Sequence, residues 1–190
     1  MSELLNPGYY NENDLKSAGF KHLGKNIKIA RDAIIIGFSN IHLGSNIQID
    51  SNVTLAASKG FLKLGNYIHI GGGSHLSCSG GISILDFVTI SQGVRIYSAS
   101  DDYSGEFMTN PTIPPMYTNV IREEVILESH VILGSGSVVL PGVTLKQGTA
   151  VGALSLIKNN TEQFSIYAGA PAKKISERSD KVLTLGKNLI

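Results

Sequence analysis

Leu133-Gly134-Ser135-Gly136-Ser137-Val138 and Val151-Gly152-Ala153-Leu154-Ser155-Leu156 are two copies of one short pattern, and they lie in a run from Ile121 to Ile157. Along that run Ile121, Leu127, Leu133, Val139, Leu145, Val151 and Ile157 return an aliphatic residue at every sixth position. Helical faces repeat near 3.6 residues and strand faces at 2, so a beat of six belongs to neither alone. Inside each unit, residues two apart alternate as in a short strand, and a pair of small or turn-forming residues then breaks it. One such strand cannot bury its face by itself. Successive units must stack, which is the logic of a solenoid.

The beat already begins at Leu23 and runs through Ile29, Ile35, Leu43, Ile49, Leu55, Leu64, Ile70, Leu76, Ile84, Ile90 and Ile96. It slips by two residues between Ile35 and Leu43, by three between Leu55 and Leu64, and by two between Leu76 and Ile84. Between Ile96 and Ile121 it slips by nineteen, a step of 25 where six is the rule. Every slip follows a third unit, so all insertions share one corner of a triangular prism of about six coils, rising about 4.8 Å per coil. Carried through the large slip, the phase places Val120, Val138 and Leu156 outward on the first face. It places Ile126 and Thr144 on the second, and Ile132 and Ala150 on the third. Aliphatic residues pointing outward in the later coils imply a covered surface.

The flanks read differently. Asn11 to Ala18, followed by Gly19, carries signals for both ends of a short helix that caps the first coil. The insert from 98 to 120 has apolar anchors in Tyr103, Phe107, Met108, Ile113, Met116 and Tyr117 and is stiffened by Pro111, Pro114 and Pro115, so an ordered arm is expected. After Ile157 the beat stops, and Ile175 to Leu185 reads as a helix closing the far end. The organisation is one domain over 1–190, with a cap over 1–22, repeats over 23–157 and an extension over 158–190.

Composition narrows the functional classes. A net charge of +1 gives no bulk attraction to nucleic acid or membrane. A lone cysteine, Cys78, cannot form an internal disulfide and fits a reducing, cytoplasmic setting. The first residues lack the basic head and apolar run of a leader.

Taken together, the nineteen phased units, the loop after Ile96 and the closing Ala168-Gly169-Ala170-Pro171-Ala172-Lys173 resemble the hexapeptide-repeat acyltransferases, above all the sugar acetyltransferases. The resemblance implies an all-β, left-handed parallel β-helix, a homotrimer, and acetyl-CoA bound in the groove between neighbouring prisms. It implies transfer to a hydroxyl or amino group of a sugar or nucleotide-sugar, in the synthesis of surface polysaccharide, with no metal. Gly134, Ser135, Gly152 and Ala153 keep side chains short where a pantetheine arm would lie, and corner geometry explains the same residues equally well. Lys158 and Lys173 match the region that holds CoA phosphates.

Many relatives carry a loop histidine as general base, whose pKa near neutrality suits the task. Here Ser100-Asp101-Asp102-Tyr103-Ser104-Gly105 stands in that place, and no histidine occurs between His75 and His130. Three alternatives remain at this level: Asp101 or Asp102 as base, His75 reaching in beside Arg95, or an amine acceptor needing little help. Two other functions compete on the same scaffold. A γ-carbonic-anhydrase-like metalloenzyme needs three converging histidines, which His69 and His75 on adjacent faces do not favour. A non-catalytic trimeric scaffold would leave the loop and closing motif without a role.

Overall fold

The computed structural model describes residues 7–187 and residue 189. The prism expected from the six-residue beat is present. Its first sheet stacks His22–Leu23, Ile41–Leu43, Leu62–Leu64, Ile82–Ile84, Val125–Leu127 and Thr144–Leu145. The second stacks Ile27–Ile29, Ile47–Ile49, Ile68–Ile70, Thr89–Ile90, Ile132–Leu133 and Ala150–Val151, and the third begins at Ile34–Ile36 and ends at Leu156–Ile157. All pairings between coils are parallel and in register, for example Ile29↔Ile49↔Ile70. Each beat residue therefore sits on its equivalent in the next coil, and the ladders Leu43, Leu64, Ile84, Leu127, Leu145 and Ile49, Ile70, Ile90, Leu133 are buried. Burial of one such side chain contributes roughly 1.5–3 kcal/mol.

Ile121 breaks the ladder it was expected to join. The residue is 45% exposed, and Ile121–Arg122 pairs antiparallel with Ala99–Ser100 at the root of the inserted loop. The solenoid resumes at Val125, which stacks on Ile82. One hexad is thus consumed by the loop, and every outward column beyond it moves by one face. Ile126 and Thr144 stand on the first sheet, Ile132 and Ala150 on the second, Val138 and Leu156 on the third. The insert runs to Glu124 rather than Val120.

The N-terminal helix, α1, spans Glu12–Ser17 and is closed by a reciprocal capping box between Asn11 and Asp14. It buries Leu15 over the first coil. Residues 1–6 of the expected cap lie outside the described part. At the other end the expected helix over 175–185 divides. Ala172–Glu177 is a strand, folded antiparallel on Ser165–Gly169, which itself extends the second sheet beside Ala150–Val151. The unpaired edge left by the last coil takes up these two strands, overriding the weak helical pattern around the exposed Ile175. Helix α2 follows at Lys181–Lys187, after Ser179, whose Oγ accepts from Lys181 N. Among the described residues no helix is long and apolar enough to cross a membrane.

Candidate functional site

The loop leaves the third sheet from Arg95–Tyr97 through a fixed exit. Ser98 is buried, and its Oγ donates to Ser77 O and accepts from Gly80 N. Ala99–Ser100 then pairs antiparallel with Ile121–Arg122 at the root of the loop, and Asp101 and Asp102 follow. These neighbours differ. Asp102 Oδ1 accepts from Ser104 N at 2.8 Å and from Ser104 Oγ, and Oδ2 accepts from Asn119 Nδ2 at 3.4 Å. The hydrogen bonds from Ser104, followed by that from Asn119, hold its carboxyl below the ordinary carboxylate range. Asp102 is the clamp of a turn that ties both arms of the loop. Asp101 is exposed, and among the described residues its carboxylate accepts no hydrogen bond and joins no ion pair. Beyond them the loop is hydrogen-bonded across Met108 and Tyr117 and presents Tyr103 and Met116, 92% and 78% exposed.

His75 lies on the third sheet, stacked in register beneath Arg95. Burial, then the neighbouring guanidinium, lowers its pKa, so the ring is neutral at physiological pH. Its ring centroid lies 6.1 Å from that of Tyr97, the last residue of the strand that precedes the loop. The Arg95 guanidinium donates to Gly73 O. Cys78 is buried in the core with its thiol pushed up to about 12 by desolvation, so it is a corner residue without nucleophilic character.

The small residues of the later coils separate into two kinds. A Cβ on Gly134 would stand 2.5 Å from Ala153 N, and one on Gly152 would stand 3.1 Å from Ala168 Cβ. Coil stacking demands glycine at 134, against backbone, whereas at 152 a side chain would only crowd Ala168. Ser135 and Ala153 are exposed at the same corner, next to Leu154, which is 77% exposed. An extended pantetheine arm laid as a track along Ser135 and Ala153 would meet two short side chains. Lys158 and Lys173 are exposed and, among the described residues, make no ion pair, so both stay available to phosphate. Lys174 does not, because it is bound at 2.7 Å to both Glu162 and Glu177.

Two groups escaped the sequence reading. Gln48, Asp50 and His69 form a network on the second sheet: Asp50 Oδ1 accepts from Gln48 Nε2 at 2.9 Å, and Oδ2 lies 2.8 Å from His69 Nε2. The signal was present, since Gln48 and His69 are equivalent positions of consecutive coils and Asp50 shares their outward face. The second group is a ring column at one corner. Tyr67, Phe87 and His130 share a left-handed backbone and stack with centroids 5.0 and 4.9 Å apart. Helix α2 packs on it through Gly186, and Arg178 Nη1 donates at 2.9 Å to His130 O and Gly148 O.

Among curated proteins, the chain is 44% identical over 177 residues to the dTDP-4-amino-4,6-dideoxy-D-glucose acyltransferase of Escherichia coli, covering 93% of this chain and 92% of that one. It is 32% identical over 104 residues, half of this chain, to a putative lipopolysaccharide biosynthesis O-acetyl transferase, WbbJ, of the same species. Among solved structures, AntD, an N-acyltransferase from Bacillus cereus in complex with dTDP and 3-hydroxybutyryl-CoA, superposes with a TM-score of 0.92 at 37% identity, covering 96% of each chain. A galactoside acetyltransferase in complex with coenzyme A gives a TM-score of 0.62 at 18% identity over 89% of this chain and 70% of that one, which shows the fold alone. No protein-family model matches the chain.

Proposed function

We propose that this chain, which belongs to the hexapeptide-repeat, CoA-dependent sugar acyltransferases, N-acylates the 4-amino group of dTDP-4-amino-4,6-dideoxyglucose. The observation that carries this acceptor is the 44% identity spanning 93% of the chain to an E. coli enzyme of that name. An amine acceptor also accounts for the loop without histidine, one of the alternatives left open by Ser100 to Gly105.

The chemistry balances with the residues present. The free amine attacks the thioester carbonyl, the C–N bond forms as the C–S bond breaks, and the coenzyme leaves as thiolate. The nitrogen must shed one proton, which Asp101 accepts and the thiolate finally takes. Asp101 suits this role because its carboxylate is uncommitted, whereas Asp102 is engaged by Ser104 and Asn119. Spacing supports the choice. Variants of the B. cereus protein were crystallised with a serine or an aspartate replaced, the aspartate ten positions after the serine, and Ser91 and Asp101 are the only such pair in this chain. CoA runs along the corner of Ser135 and Ala153 with its phosphates toward Lys158 and Lys173, and supplies the activated acyl group. The assembly is a homotrimer: Ile132, 36% exposed, lies two residues before the start of that corner and offers an apolar contact for a second copy.

The test is acyl transfer by purified protein from acetyl-CoA and longer acyl-CoAs, read as thiol release and product mass, with dTDP-4-amino-4,6-dideoxyglucose against dTDP-glucose. Turnover of the amine alone is expected. Equal thiol release with the hydroxyl sugar would overturn N-acylation.

A further inference from the structure

The corner that carries Ser135 and Ala153 continues into the earlier coils. By register Ser51, Gly72, Gln92, Ser135 and Ala153 succeed one another along it, at intervals of about 4.8 Å. Gln92 joins the track to what lies beyond, because its Oε1 accepts from Ser135 Oγ at 3.3 Å. Past Gln92 the corner opens into a cavity of about 350 Å³, with Gly72, Ser51, Asp50 and Tyr9 among its walls. Gly72 lines this space without a side chain, and a Cβ there would stand 3.0 Å from Ser51 O. The far wall is fixed in place. Tyr9 bridges to Ala30, and its carbonyl accepts from Arg31 Nε at 3.2 Å.

Asp50 is the charged group of this cavity. Its side chain is only 26% exposed, and His69 and Gln48 each occupy one oxygen. An ionised carboxylate offers about four acceptor sites, so two remain after these partners are counted. The two donors fix the carboxylate before any ligand arrives, and a half-sheltered, oriented acceptor discriminates strongly between a substrate that donates to it and one that cannot.

We infer that Asp50, positioned by His69 and Gln48, is a specificity-determining residue that accepts a hydrogen bond from a substrate hydroxyl at the head of the acyl-donor track. The assignment rests on reading the Ser135–Ala153 corner as the CoA site. Two substrates bring a hydroxyl there: a 3-hydroxyacyl donor, through its β-hydroxyl, and the sugar ring of the acceptor.

Asp50→Asn replaces the carboxylate with a group of the same shape, and steady-state kinetics separate the sources. kcat/KM is measured for 3-hydroxybutyryl-CoA, butyryl-CoA and acetyl-CoA, together with KM for dTDP-4-amino-4,6-dideoxyglucose. If the donor supplies the hydroxyl, the preference for 3-hydroxybutyryl over butyryl falls about tenfold. If the acceptor supplies it, that ratio holds and the acceptor KM rises about tenfold. Both quantities unchanged would overturn the assignment. His69→Gln, which loosens Asp50 without removing it, is expected to reproduce the same shift in weaker form, and it carries the test if Asp50→Asn fails to fold. Wild-type protein that turns over none of the three donors would defeat the acyltransferase reading itself, and with it any role for Asp50.

Discussion

Replacing Asp101 by asparagine removes a proton acceptor and almost nothing else, because among the described residues its carboxylate has no partner to lose. A positioned general base contributes about 10²–10⁴-fold, so kcat is expected to fall at least about 100-fold, equivalent to about 2.7 kcal/mol in the barrier. KM for the acyl-CoA should hold, since the Ser135 and Ala153 corner is untouched. Asp102→Asn predicts the opposite kind of defect. One oxygen survives to accept from Ser104, but the new amide faces Asn119 Nδ2 with a second donor, and the tie between the two loop arms opens. A smaller loss is expected, on the order of tenfold, with faster proteolytic cutting of the loop. The assay is thiol release at saturating acceptor across pH 6 to 9. Free amine replaces ammonium as pH rises in wild type and variant alike, so both rates should climb together and the Asp101→Asn deficit should persist to the alkaline end. Both variants within about threefold of wild type at neutral pH, or Asp102→Asn the worse of the two, would refute the assignment.

Ala153→Trp should fill the exposed corner track, raising KM for acyl-CoA about tenfold or more while the melting temperature stays within about two degrees of wild type, both measurable on one preparation. Ile132→Asp places a charge in the proposed subunit contact and should convert a trimer to monomer by light scattering; a variant that stays trimeric would move the interface elsewhere. The pKa values of His42, His75 and His130 are all lowered, each chiefly by burial, and for His130 the Arg178 charge adds to this while Asp86 opposes it. A histidine held below its unfolded value near 6.5 makes the unfolded state bind more protons. The stability it supports is complete above that value and is lost as pH falls toward the folded one. Melting temperature should therefore drop by several degrees from pH 7.5 to 5. His130→Phe should lessen the drop, because Tyr67 and Phe87 already occupy the same left-handed corner position.

The beat of six was sufficient for the prism, its three sheets and the corner that carries every insertion. A stacked coil buries one aliphatic residue per strand, so the period is a direct consequence of the shape. Ile121 shows the limit of that inference. It keeps the period by coincidence, and only the antiparallel pairing of Ile121–Arg122 with Ala99–Ser100 decides that it belongs to the loop. Ile175 shows a second limit, since strand or helix there depends on the open sheet edge beside Ser165–Gly169. At the site, the sequence put two aspartates where relatives have a histidine, without ranking them. The ranking came from hydrogen bonds between Asp102, Ser104 and Asn119, partners whose approach depends on how the loop closes. Asp50 and His69, nineteen residues apart in the chain, meet only because one turn of the prism brings consecutive coils together. Periodicity is a local property and survives in a string of letters. The partners of a carboxylate are set by where three sheets and one loop place their donors, which is a property of the folded chain.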